Sequence, residues 1–132
     1  MGSWLALIVS AALFGLIHLL NPNATAVAAI AIALEAGVLL AAAYMFTRRL
    51  WLAIGMHFAW NFTQGGIFGV DVSGHEAKGL FQARLVGPEL LSGGKFGAET
   101  SILAVTVCLG AGIVLIVMAV RKGNVVRPFW VR

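Results

Sequence analysis

Two histidines and an asparagine are the residues of this sequence whose types and spacing could support chemistry. His57 and Asn61 are four residues apart, so on a helix they project from the same face. His18 lies in an earlier apolar stretch, four residues after Phe14. Imidazole nitrogens bind metals and act as general acids or bases, and an amide N–H can stabilise an oxyanion. Histidines from separate helices that converge in a bundle would therefore make a water-activating site.

A structural role competes with each of these interpretations. Side chains such as His57 and Asn61 also form interhelical hydrogen bonds, and their spacing alone favours neither role. His18, taken by itself, fits packing or hydrogen bonding better than catalysis. Glu35 has small neighbours in the middle of another apolar stretch, which favours a buried structural group. Whatever their role, none of these polar groups can face lipid, so all should face the interior of a bundle or a wet cavity.

The composition indicates the environment in which these residues lie. Of the 132 residues, 61% are hydrophobic and 11% are charged, whereas about a quarter of a soluble domain is charged. Four apolar stretches approach the ~20 residues that a helix needs to cross hydrocarbon. We predict an all-α fold, a polytopic transmembrane helix bundle with about four spanning helices. The spans are predicted at about 4–20, 25–46, 51–68 and 100–120 of a single membrane domain (1–132), with an extracytoplasmic loop at 69–99.

The basic residues predict how the bundle is oriented. Most of them directly follow an apolar stretch, at Arg48, Arg49, Arg121, Lys122, Arg127 and Arg132. Basic residues beside spans stay in the cytoplasm, so both termini are predicted to be cytoplasmic. The lipid bilayer is the expected partner, and nucleic acid is not, because no basic face with aromatic partners is visible. His75 and the loop carboxylates are expected to be solvated, and the single Cys108 indicates no redox compartment.

Two segments of the chain resemble motifs of a known family. Residues 13–18 contain Phe-x-x-x-His at Phe14 and His18, and residues 51–62 contain His-x-x-x-Asn at His57 and Asn61. These resemble the last two motifs of the CPBP family of intramembrane metalloproteases, which comprises CAAX proteases and bacteriocin-processing Abi proteins. The family pattern is Glu-Glu-x-x-x-Arg, then Phe-x-x-x-His, then His-x-x-x-Asn. Residues 34–37 and 69–74 also look like bacterial members, so the resemblance covers nearly the whole chain.

The resemblance implies an activity and roles for particular residues. It implies an intramembrane metalloendopeptidase that cleaves a membrane-associated peptide or protein, in a bacterial or archaeal plasma membrane. His18 and His57 would be metal ligands or acid/base groups, and Asn61 would donate to the oxyanion. The expected cofactor is a divalent metal, with zinc as the default for histidine ligands. Phe14 and Glu35 are accessory candidates.

One element of the family pattern is missing from this sequence. No Glu-Glu-x-x-x-Arg occurs, and in the family that glutamate pair is proposed to activate the attacking water. Glu35 does not occupy its position. The chain is therefore expected to correspond to the C-terminal half of such a protease (a fragment, a truncated gene model or an inactive paralogue) and to be nearly inactive alone. The alternatives are a non-catalytic membrane interaction module, and a small transporter or proton relay built on Glu35 and the histidines.

Overall fold

The fold of the chain is helical, as the apolar stretches predicted. A computed structural model describes residues 1–131, and within that range the only β pairing is an isolated bridge between Val72 and His75. The all-α fold class is confirmed. Arg132, which was counted with the basic tail, lies outside the described residues.

Six α-helices and several tighter or wider turns make up the bundle. The α-helices are α1 (Ser3–Ile17), α2 (Ala26–Ile32), α3 (Val38–Thr47), α4 (Leu50–Asn61), α5 (Glu89–Ser92) and α6 (Ile102–Arg121). A 3₁₀ turn, His18–Leu20, extends α1, and a π turn, Phe62–Ile67, extends α4. A second π turn, Ala33–Gly37, joins α2 to α3 without a break. Thr25 caps α2 by accepting a hydrogen bond from the backbone N–H of Ala28 at 3.0 Å.

In the described part of the chain, three helical segments are long and apolar enough to cross a membrane, namely Ser3–Leu20, Ala26–Thr47 and Ile102–Arg121. The chain is therefore an integral membrane protein, in contact with the lipid bilayer. The other predicted span, 51–68, is helical but is not one of the three. Its polar side chains, which include His57, Asn61 and Gln64, lower the mean hydropathy of that helix.

Hydrogen bonds between distant residues define one end of the bundle, which we call the basic end. The backbone N–H of Ser3 donates to the carbonyl of Val126 at 2.9 Å. The Asn124 amide donates to the carbonyl of Phe46 at 2.6 Å. The N-terminus, the turn after α3 and the tail after α6 therefore lie together.

The opposite end, which we call the loop end, is formed around residues 69–101. The Asn21 amide, in the turn between α1 and α2, donates to the carbonyl of Ser73 at 3.0 Å. The Gln64 amide, in the π turn after α4, donates to the carbonyl of Asp71 at 2.6 Å. Because α4 begins beside Arg49 at the basic end, it runs from one end of the bundle to the other. Which end faces the cytoplasm stays a prediction from charge.

Small residues allow the first two spanning segments to approach closely. A Cβ added at Gly15 would lie 2.3 Å from the carbonyl oxygen of Ala29, and one added at Gly37 would lie 2.8 Å from Cα of Ala11. No side chain other than hydrogen fits at such distances, so glycine permits this crossing. The crossing holds the end of α1, which carries His18, against the helix that carries Glu35.

Candidate active site

A cavity of about 730 Å³ lies between α1, the Ala26–Thr47 helix, α4 and the start of α6. Its lining is mostly apolar with a few polar groups, which is the usual character of a small-ligand or substrate site. All five residues that the sequence singled out line it: Phe14, His18, Glu35, His57 and Asn61. The fold therefore brings together residues from three separate helices, although no contact between those helices could be derived from their spacing.

Phe14 connects the two histidines across the cavity. Its ring centre is 4.7 Å from that of His18 and 5.6 Å from that of His57. The two imidazole centres can thus be no farther apart than the sum of these distances. Phe14 belongs to α1, His18 to the 3₁₀ turn that extends it, and His57 to α4, so this contact joins α1 and α4 at the site.

The hydrogen-bond partners indicate which ring nitrogen of each histidine would carry the proton in the neutral form. His18 Nδ1 lies 2.6 Å from the carbonyl oxygen of Phe14, which can only accept, so the proton is on Nδ1 and Nε2 is free. The Asn61 amide nitrogen donates to His57 Nε2 at 3.2 Å, so His57 carries its proton on Nδ1. An amide has two N–H groups, and the second one of Asn61 remains for another acceptor. The arrangement offers one free imidazole nitrogen and one amide donor.

The donor set does not complete a zinc site. Among residues 1–131, no group of three or more histidine, cysteine, aspartate or glutamate side chains could hold a metal ion. Catalytic zinc takes three protein ligands, and His18 and His57 supply two. Metal binding by these histidines stays a prediction of the resemblance, and no step proposed below depends on it.

Glu35 occupies an unusual position in the same cavity. It is 3% exposed and lies within the π turn Ala33–Gly37, a type of turn that is frequent at functional sites. The Cys108 thiol of α6 is a neighbour of its carboxyl group. Among the residues that the structure describes, no lysine or arginine lines the cavity to pair with it. Glu35 thus faces the cavity of the histidines without forming a metal-holding group with them.

The expectation that the loop carboxylates are solvated is wrong for Glu99. His75, Glu76 and Glu89 are exposed, as expected, but Glu99 is 2% exposed and lines the cavity. One of its carboxyl oxygens accepts from the backbone N–H and from the hydroxyl of Ser73, each at 2.6 Å. The other accepts from the Gln64 amide. Burial raises the pKa of the Glu99 carboxyl, while these hydrogen bonds oppose the rise.

A glycine close to Glu99 permits this contact, but it gave no usable signal in the sequence. Gly97 has φ +124°, and a Cβ there would lie 2.3 Å from the carbonyl oxygen of Asp71. Only glycine tolerates both that conformation and that approach. In the sequence, this residue reads simply as part of a glycine-rich loop, so the partner of Glu99 could not be identified.

A comparison with known families agrees with the motifs. Residues 1–63 match the family described as Type II CAAX prenyl endopeptidase Rce1-like, and this segment contains His18, His57 and Asn61. This match supports the assignment of the chain to the CPBP/CAAX protease family. It ends before Gln64 and Glu99, so the resemblance of the remaining residues to the family stays a prediction. No curated protein and no solved structure matches the chain.

Proposed function

We propose that this chain provides the histidine–asparagine part of the active site of a CAAX-type intramembrane endopeptidase, which cleaves a membrane-associated peptide or protein. The observation that supports the proposal is the convergence of His18, His57 and Asn61 on one cavity. A purely structural pair of histidines would be expected to bury both rings against other helices. Here both rings are only half-buried, and space for a ligand lies beside them.

Each side chain has a role that its hydrogen bonds permit. Asn61 holds His57 with one amide N–H, and its other N–H can donate to the oxyanion that develops on the scissile carbonyl. His18 is held by the Phe14 carbonyl, so its free Nε2 can accept or return a proton during hydrolysis. The mostly apolar lining provides a site of low polarity, in which these polar interactions would be stronger in the transition state.

The proposal also predicts what limits the activity of this chain. Hydrolysis needs a group that takes a proton from water, and the family's Glu-Glu-x-x-x-Arg is absent from this sequence. We expect little or no cleavage by the chain as it is. A chain preceded by a helix that carries Glu-Glu-x-x-x-Arg should cleave. The measurement is the cleavage of a membrane-embedded peptide library by both chains in the same vesicles.

Matched variants of the extended chain test the roles of individual residues. Asn61→Ala should lower turnover about a hundredfold or more, the usual cost of losing an oxyanion donor. His57→Ala should also lower it sharply, whereas the exposed His75→Ala should leave it unchanged. Equal turnover in His57→Ala and His75→Ala would refute the proposed site.

The short chain provides a second test, because Glu35 is a carboxyl group in the same cavity. Robust cleavage by the short chain that disappears in Glu35→Gln would show that Glu35 is the base. Binding of library peptides without cleavage, by both the short and the extended chain, would favour the non-catalytic membrane interaction module instead.

A further inference from the structure

The Glu99 carboxyl group contacts two segments that are both distant from it in sequence. Through Gln64 it contacts the π turn that continues α4, and through Ser73 it contacts the loop. The Gln64 amide uses both of its N–H groups here, one for Glu99 and one for the carbonyl of Asp71. Both carboxyl oxygens of Glu99 and both amide N–H groups of Gln64 are thus hydrogen-bonded, and we call Gln64, Asp71, Ser73 and Glu99 the Gln64 anchor.

The helix that carries the proposed site has little else to hold its orientation. None of the residues of α4 is buried, although α4 packs along α3. The first buried side chain after Asn61 is that of Gln64. Hydrophobic burial does not orient a helix against lipid, because lipid tails are as apolar as leucine, whereas interhelical hydrogen bonds do. The polar contacts of this helix therefore act together with its packing along α3 to set its rotation.

The spacing along this helix couples the anchor to the site. Asn61 and Gln64 are three residues apart, and His57 lies one further turn back, so the three share a face. All three line the cavity. A helix that turns about its axis at Gln64 would turn His57 and Asn61 out of the cavity together, away from Phe14 and His18.

We propose that Glu99 is a positioning residue for the site: acting through Gln64, it sets the rotation of the helix that directs His57 and Asn61 into the cavity. The importance of His57 and Asn61 rests on the proposed function, but the orientation of their helix can be measured without substrate. Glu99 does not contact the histidines in this role, and its effect is transmitted along a single helix.

Two substitutions cut the link between Glu99 and Gln64 in different ways. Glu99→Gln keeps the oxygen that accepts from Ser73, but it replaces the oxygen that accepts from Gln64 with a second donor. Gln64→Met removes the amide and leaves Glu99 with Ser73. Ser73→Ala is the matched control, because it removes a hydrogen bond from the loop side alone. Glu89→Gln controls for loss of a carboxyl group at an exposed position of the same region.

The measurement is nitrogen-15 NMR of the three imidazoles in the full chain, reconstituted in lipid, with circular dichroism to verify the fold. In Glu99→Gln and Gln64→Met, the His57 resonances should shift as the Asn61 bond changes, and those of exposed His75 should stay in place. In Ser73→Ala and Glu89→Gln, His57 should keep its wild-type resonances. If Glu99→Gln does not fold, Gln64→Met decides the question.

Two results would overturn the inference. In one, folded Gln64→Met leaves the His57 resonances unchanged. In the other, Ser73→Ala shifts them as much as Gln64→Met does, which would mean that the cluster only stabilises the fold. Neither result depends on proteolysis, so failure of the anchor is distinguishable from failure of the proposed function. Turnover that survives His57→Ala would contradict the function and leave the anchor standing.

Discussion

Replacement of Gly15 by alanine should separate α1 from the helix that carries Glu35. The added Cβ would lie 2.3 Å from the carbonyl oxygen of Ala29 and 2.7 Å from Cβ of Ala33. Ordinary contact begins near 3.4 Å. Two of the atoms that meet the new methyl group are backbone atoms, which cannot rotate away, so the helices must move apart by about 1 Å.

The expected cost follows from this overlap and from a matched control. Gly110, in α6, is exposed, and a Cβ there would meet nothing within 4 Å. In both variants alanine gains the same ~0.5–1 kcal/mol of helix propensity over glycine. Overpacking typically costs ~1–3 kcal/mol, so Gly15→Ala should be less stable than Gly110→Ala by about that amount.

Unfolding in mixed micelles with a rising fraction of sodium dodecyl sulfate, followed by circular dichroism, measures this difference. Gly110→Ala should unfold at or above the wild-type midpoint, and Gly15→Ala below it. Because Gly15 lies between Phe14 and His18, the His18 imidazole signals should also shift in Gly15→Ala alone. Equal midpoints for the two variants would refute the close helix crossing described here.

Two further predictions concern topology and pH. For topology, His75→Cys and Val126→Cys are introduced separately into a chain whose native cysteine has been replaced. An impermeant maleimide should label them from opposite sides of the membrane. Labelling of both from one side would contradict the predicted orientation. Burial raises the pKa of Glu99, so the Glu99 carboxyl binds a proton more tightly in the folded chain than in the unfolded chain. The protonated carboxyl therefore contributes to stability at low pH. This contribution is lost as pH rises from the ordinary glutamate range through the raised pKa. Glu99→Gln should remove that part of the pH dependence of the unfolding midpoint, and Glu89→Gln should retain it; identical pH profiles for the two variants would show that Glu99 does not titrate in this way.

The spanning helices could be predicted because their signals are local. An apolar stretch of about twenty residues indicates a membrane span by its length and composition alone. A threonine directly before a helix, such as Thr25 before α2, is a common capping residue in any fold. The pairing of His57 with Asn61 is local too, since four residues on one helix are neighbours regardless of the rest of the fold. The predicted span at 51–68 was harder, because the side chains that make α4 a candidate site also make it less apolar.

The sequence by itself determined which residues could do chemistry and that they would be carried by helices in a membrane. The tertiary structure alone decided that Phe14 lies between the two histidines and that Glu99 is buried against Gln64. Close backbone approaches lie beside both contacts, at Gly15 against Ala29 and at Gly97 against Asp71. Such contacts join segments that are distant in sequence, and hydropathy and spacing along one segment contain no information about its partner.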